Sequence, residues 1–164
     1  MRTQLLAMLL TATLLPVPAV ASGAVVPGEP APDFALKDAA GKNLRLSEWQ
    51  GEVVVLAFWA GWCGRCSDQL QVLARLQEQY GERGVRVVAI NIDQDGTPAR
   101  EAAARSPVLV LHDRNQQVAR QYDLANLPLT VLVDPHGKVR YVHEKYRGSD
   151  AALYDEELTA LLAE

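Results

Sequence analysis

Cysteine is scarce here: two residues in a chain of 164. So few cannot build the disulfide framework of a small secreted scaffold, so the pair, Cys63 and Cys66, calls for another explanation. A basic patch is also missing. Acidic residues outnumber basic ones 20 to 16, for a net charge of -4, and no stretch gathers Lys and Arg to neutralise phosphates, which excludes nucleic acid as a partner. Internal repeats and low-complexity tracts are absent. Hydrophobic residues at 49% and charged residues at 22% match soluble globular chains, which excludes disorder, collagen and coiled coil. At roughly 150 residues per domain, the length allows one folded domain.

No apolar run is long enough to span a bilayer core of roughly 30 Å as a stable helix. The run from Leu5 to Leu15 is ended by Pro16 and Pro18. With Arg2 ahead of it and Ala19-Val20-Ala21 behind, residues 1–21 read as a signal peptide cleaved after Ala21, the alternative being a retained N-terminal anchor. No Cys follows that site, so lipid attachment there lacks an acceptor. Residues 22–32 are rich in Gly, Pro and small residues and read as an extended leader, with the compact domain, residues 33–164, starting near Asp33.

Phe34–Leu36 and Leu44–Leu46 flank Gly41-Lys42 and predict a small hairpin. Val53–Trp59 is a nearly continuous apolar run, as a strand buried on both faces requires. Cys66, Leu70, Leu73, Ala74, Leu76 and Tyr80 recur at helical spacing until Gly81 and Gly84, and Val85–Ile92 is a second apolar run. Strand, helix and strand make a βαβ unit with a right-handed crossover. Pro98–Arg105 predicts a helix, Val108–Leu111 a strand and Gln116–Tyr122 a short helix. Strands at Leu129–Val133 and Val139–His143 flank the turn Asp134-Pro135-His136-Gly137 as an antiparallel hairpin. A last helix, capped by Ser149 or Asp150, turns Tyr154, Leu158, Leu161 and Leu162 to one face.

Trp62-Cys63-Gly64-Arg65-Cys66 stands where the first long strand passes into its helix. A thiol at a helix N-terminus faces free N–H groups and the positive end of the dipole, which favour thiolate; Cys63 is the expected nucleophile. With two residues between them on the first helical turn, Cys66 is spaced to resolve a mixed disulfide on Cys63. The bland alternatives are an inert bridge, which closes almost no loop, or half a zinc site, which needs two further ligands. His112, His136 and His143 have no helical ligand spacing and read as ordinary strand-end or turn residues. Asp68 reads as a solvated helix residue. Trp62 reads as an exposed lip over the disulfide, Trp59 as core, and Trp49 is ambiguous.

The string from Phe58 to Cys66, followed by Leu127-Pro128-Leu129-Thr130, resembles the active-site and cis-proline motifs of the thioredoxin superfamily. Ala31-Pro32-Asp33-Phe34 and Leu46-Ser47-Glu48-Trp49-Gln50-Gly51 resemble its exported branch, the TlpA and ResA-like thiol-disulfide oxidoreductases, from about Pro27 to the end. The resemblance implies an α/β thioredoxin-like fold, a central mixed sheet flanked by helices with an extra N-terminal hairpin. It further implies catalysis by Cys63 and Cys66, a cis Pro128 packed on the disulfide, and substrate contacts from Trp62, Gly64, Arg65 and Leu127. Without the resemblance, Pro128 is an ordinary strand-start proline.

Arg65 stands where that family commonly has Pro, Ala57 where thioredoxin has a buried Asp, Gln69 where many ResA-like proteins have a buried Glu, and Gln71 where a helix Pro is usual. Loss of both acids leaves Cys66 to lose its proton to water or the leaving thiolate. Arg65, within about 6 to 8 Å of Cys63, contributes roughly 0.5 to 3 kcal/mol to the thiolate.

The expected function is exported thiol-disulfide exchange on cysteine-containing client proteins. The resemblance implies the reducing direction with a membrane thiol electron donor; Arg65 and an oxidising compartment favour an oxidant or isomerase instead. The client is open between a cytochrome c apoprotein, a copper-site protein and others. No cofactor or metal is called for, and a monomer in the periplasm or its equivalent is expected. Two alternatives are a peroxiredoxin, which needs Thr where Ala60 stands, and a copper chaperone of the Sco type, whose cysteines are spaced one residue wider and which uses a later His.

Overall fold

In the computed structural model, residues 25–105 and 107–164 are described. The expected signal peptide, and with it the start of the leader, lies outside the described residues. Seven strands form one sheet in the order β2-β1-β5-β4-β3-β6-β7. They are β1 (Ala35–Asp38), β2 (Asn43–Arg45), β3 (Val53–Trp59), β4 (Val85–Asn91), β5 (Leu109–His112), β6 (Leu129–Val133) and β7 (Val139–Glu144). Among the described residues four α-helices accompany them: α1 (Cys66–Tyr80), α2 (Thr97–Ala103), α3 (Gln117–Gln121) and α4 (Asp150–Leu161).

Every residue of β3 is buried, because side chains alternate across a sheet covered on both sides. Val53, Val55, Ala57 and Trp59 pack with Cys66, Leu73, Tyr80, Tyr154 and Leu158. Val54, Leu56 and Phe58 face the opposite layer, with Phe34, Trp49 and Tyr122. Trp49 is thus core, its ring under the Arg86 guanidinium at 5.6 Å.

Helix α1 returns the chain so that β4 pairs parallel to β3, from Val53↔Val85 to Trp59↔Asn91. Its buried stripe is Cys66, Gln69, Val72, Leu73, Leu76 and Tyr80, rotated from the expected one: Leu70 and Ala74 are only partly buried. After Gly81 a single 3-10 turn follows, and Gly84 closes it at φ 93, a left-handed conformation that glycine adopts without strain. On the other flank β6 and β7 form the antiparallel hairpin, with Leu129↔Glu144 at the open end and Asp134 and Gly137 in the turn.

Two local expectations are corrected. Packing begins before Asp33: the Gly28 N–H donates to the Val139 carbonyl at 2.7 Å, Val139 N–H to Glu29 at 2.9 Å and Ala31 N–H to Gly137 at 2.9 Å. The leader therefore satisfies one N–H, of Val139, and two carbonyls, of Gly137 and Val139, that the turn and the start of β7 would otherwise leave open. Ser149 occupies the cap position of α4 but makes no capping bond; the Asp150 carboxylate instead accepts the Arg147 N–H at 2.7 Å.

Candidate active site

Between β3 and α1 the chain makes a tight turn against the end of β4. The Gly61 N–H donates to Asp93 Oδ2 at 2.7 Å, and Asn91 Nδ2 holds the same oxygen at 2.8 Å. A Cβ on Gly61 would sit 3.0 Å from Pro98 Cβ and Cγ, so glycine is needed for this close approach. The Cys63 N–H donates to Ala60 O at 3.1 Å and the Cys66 N–H to Cys63 O at 3.1 Å. Cys63 therefore precedes the helix instead of standing in its first turn, and Cys66 opens α1. The two cysteines form a disulfide across Cα atoms 5.4 Å apart.

The bond is lopsided. Cys66 is 1% exposed, whereas Cys63 is half-buried and opens onto a groove of about 580 Å³. Trp62, at 72% exposure, lines that groove with Gly64, Arg65 and Leu127, all four named from sequence. The Leu127-Pro128 peptide is cis, and buried Pro128 presents its carbonyl to the Lys145 N–H at 2.8 Å. Lys145, Tyr146 and Arg147 complete the lining and were missed. They lie beyond β7, and the register Leu129↔Glu144 is the signal that sets them opposite Leu127. A larger open cavity of about 690 Å³, between the N-terminal hairpin and α3, contains neither cysteine.

Behind Cys66 the surroundings are polar but uncharged. Gln69, fully buried one turn along α1, donates from Nε2 to Thr130 Oγ1, which lies 3.2 Å from the Tyr154 hydroxyl. Gln69 Oε1 has no partner among the described residues. Thr130 pairs across the sheet with Ala57, so neither position lost to the family pattern is replaced by an acid. Burial pushes the Tyr154 hydroxyl above its ordinary value. Asp68 is exposed, as expected.

His143 is not an ordinary strand residue. Its Nε2 meets Glu157 Oε2 at 2.7 Å, and its ring packs edge-on against Tyr154, 5.2 Å between centroids. Burial raises the Glu157 carboxyl above its usual range, and the bond to His143 opposes that rise.

Residues 27–142 match the AhpC/TSA family. The chain belongs to that family. Among curated relatives, thiol-disulfide oxidoreductase ResA of Geobacillus thermodenitrificans is 34% identical over 123 residues, covering 73% of this chain and 70% of its own length. ResA of Bacillus subtilis is 34% identical over 116 residues, covering 68% of this chain and 64% of its own. A crystal structure from Chlorobium tepidum, described as a thiol:disulfide interchange protein DsbE, superposes with a TM-score of 0.79 at 34% identity, covering 85% of this chain and 99% of that one. This AhpC/TSA chain thus has the thioredoxin-like fold, and with its disulfide it is a thiol-disulfide oxidoreductase. Where the peroxiredoxin pattern requires Thr, this AhpC/TSA member has Ala60, buried and without a hydroxyl.

Proposed function

We propose that this enzyme reduces disulfides in client proteins outside the cytoplasm. In the reduced form the Cys63 thiolate attacks one client sulfur: the Cys63–client S–S bond forms, the client S–S bond breaks, and the leaving thiolate takes a proton from water. Cys66 then gives up its proton and attacks Cys63 Sγ, closing the Cys63–Cys66 bond and releasing the second client thiolate. Two electrons pass to the client. A membrane dithiol donor restores the reduced pair by the same exchange in reverse.

The observation that carries this reading is the unequal exposure of the two sulfurs beside a groove with room for a peptide. Gly64 and Leu127 offer backbone to the client, and Trp62 covers the opening. The buried network of Gln69, Thr130 and Tyr154 behind Cys66 contains no carboxylate, so the Cys66 proton leaves through water or the departing thiolate. Export is supported by the pattern of residues 1–21.

Equilibration with glutathione tests the direction. A potential below about -220 mV supports a reductant, whereas one near about -120 mV makes the enzyme an oxidant. N-terminal sequencing of the protein recovered from the periplasm tests export, with Ser22 as the expected first residue.

A further inference from the structure

We propose that the groove beside Cys63 selects client segments carrying Asp or Glu next to the disulfide under attack. The inference rests on the oxidoreductase reading and names its substrate class. Among the described residues the charged ones lining the groove are Arg65, Lys145 and Arg147, and none is a carboxylate. That local sign opposes the net charge of -4 on the whole chain. The three cations come from separate segments: Arg65 from the active-site turn, Lys145 and Arg147 from the loop after β7. All three are exposed, and among the described residues none makes an ion pair.

The loop is held in place. Lys145 sits at φ 66 with its N–H on the Pro128 carbonyl, and Tyr146 is buried between the two cations, 6.4 Å from the Tyr154 ring. Lys145 and Arg147 are therefore fixed on either side of a buried anchor. Asp68 and Asp150 act on Tyr146 together with Arg75. Asp150 is committed to the Arg147 N–H and Ser149 Oγ, and neither acid lines the groove. An extended segment crossing the groove finds apolar surface on Trp62 and Leu127 and unpaired positive charge around the reacting sulfur. Carboxylates flanking its disulfide complete those pairs, while Lys or Arg there meets like charge.

The test uses the fully reduced enzyme and three peptides of equal length, each with one internal disulfide flanked by Asp and Glu, by Gln, or by Lys. Rates are read by acid quench, alkylation and mass. The acidic peptide should react about tenfold faster than the basic one at low salt, and the ratio should fall toward one near 0.5 M NaCl. In the double variant Lys145→Gln/Arg147→Gln, checked for native circular dichroism, the acidic-to-basic ratio should drop about threefold or more. Equal rates for the three peptides, or a ratio unmoved in the double variant, overturn the acidic preference alone. If glutathione disulfide, itself anionic, matches the acidic peptide, selection acts on a small anion and the docked segment is overturned. An enzyme that exchanges with none of the three overturns the oxidoreductase reading itself.

Discussion

On its outer side the disulfide opens onto a groove that Trp62, Arg65, Lys145 and Arg147 line, all exposed and three of them cationic; on its inner side lies the core, with Gln69, Thr130 and Tyr154 all buried and neutral. A thiolate forming outward is stabilised by nearby positive charge, whereas one forming inward is desolvated and finds no cation. In the proposed mechanism the surroundings give the two sulfurs of a single bond different jobs: Cys63 carries charge and attacks, and Cys66 stays protonated until it resolves.

The largest effect tests that division directly. Cys63→Ser should abolish exchange and trap no client, while Cys66→Ser should retain the first attack and accumulate clients as stable mixed disulfides. Alkylation of the reduced enzyme at neutral pH should label Cys63 at least about tenfold faster than Cys66. Preferential labelling of Cys66 reverses the comparison.

Next in size is the inner side. Thr130→Val leaves Gln69 Nε2 and the Tyr154 hydroxyl buried without their shared partner, which should cost about 1 to 3 kcal/mol in urea unfolding. Adding Tyr154→Phe should recover part of the loss by removing one orphan.

On the outer side, Arg65→Gln should raise the Cys63 pKa by about half a unit to two units. Because the thiolate exists only in the reduced form, the variant should also be the more reducing protein. The pKa change should shrink in salt, since exposed charges are screened within about 10 Å at 0.1 M. If neither pKa nor potential moves, the outer cation acts on clients and not on the sulfur.

The smallest effect lies at the far end of the inner side. Glu157 holds its proton more tightly folded than unfolded, where its pKa is near the usual 4.5. The folded protein therefore binds the extra proton as pH climbs from about 4.5 through the raised value, and stability falls across that window. Glu157→Gln should flatten that decline, as read from denaturant midpoints at several pH values between 4 and 7. An unchanged slope would mean that His143 compensates the burial fully.

Most of the outer side was legible because Trp62, Gly64 and Arg65 are contiguous with the cysteines, and β3 and β4 announce themselves as unbroken apolar runs. Lys145 and Arg147 were not legible, because a charged pair in a loop reads as solvated surface until the β6–β7 register sets it opposite Leu127. The inner side was legible only as absences. Ala57 and Gln69 were seen to lack the family's acids, but the use of Thr130 and Tyr154 depends on α4 packing over the sheet, which periodicity along one segment does not report. His143 was misread for the same reason: its partner, Glu157, is a residue of α4. Cys63 was set too far into the helix because a Cys-x-x-Cys spacing fits either a helical turn or the turn leading into one.

The clip of Gly28–Ala31 onto the start of β7 bears on association between molecules. The sheet ends at β2, only three residues long, and at β7, whose first residue, Val139, is occupied by the leader and whose extended run gives way at Lys145, at φ 66. Among the described residues the ladder of N–H and C=O groups left for a foreign strand is short at both rims, residues 43–45 at β2 and 140–144 at β7. In the proposed exchange a client is then held by one covalent bond and a shallow groove, not by a long ladder of added strand pairing, and leaves when that bond is resolved.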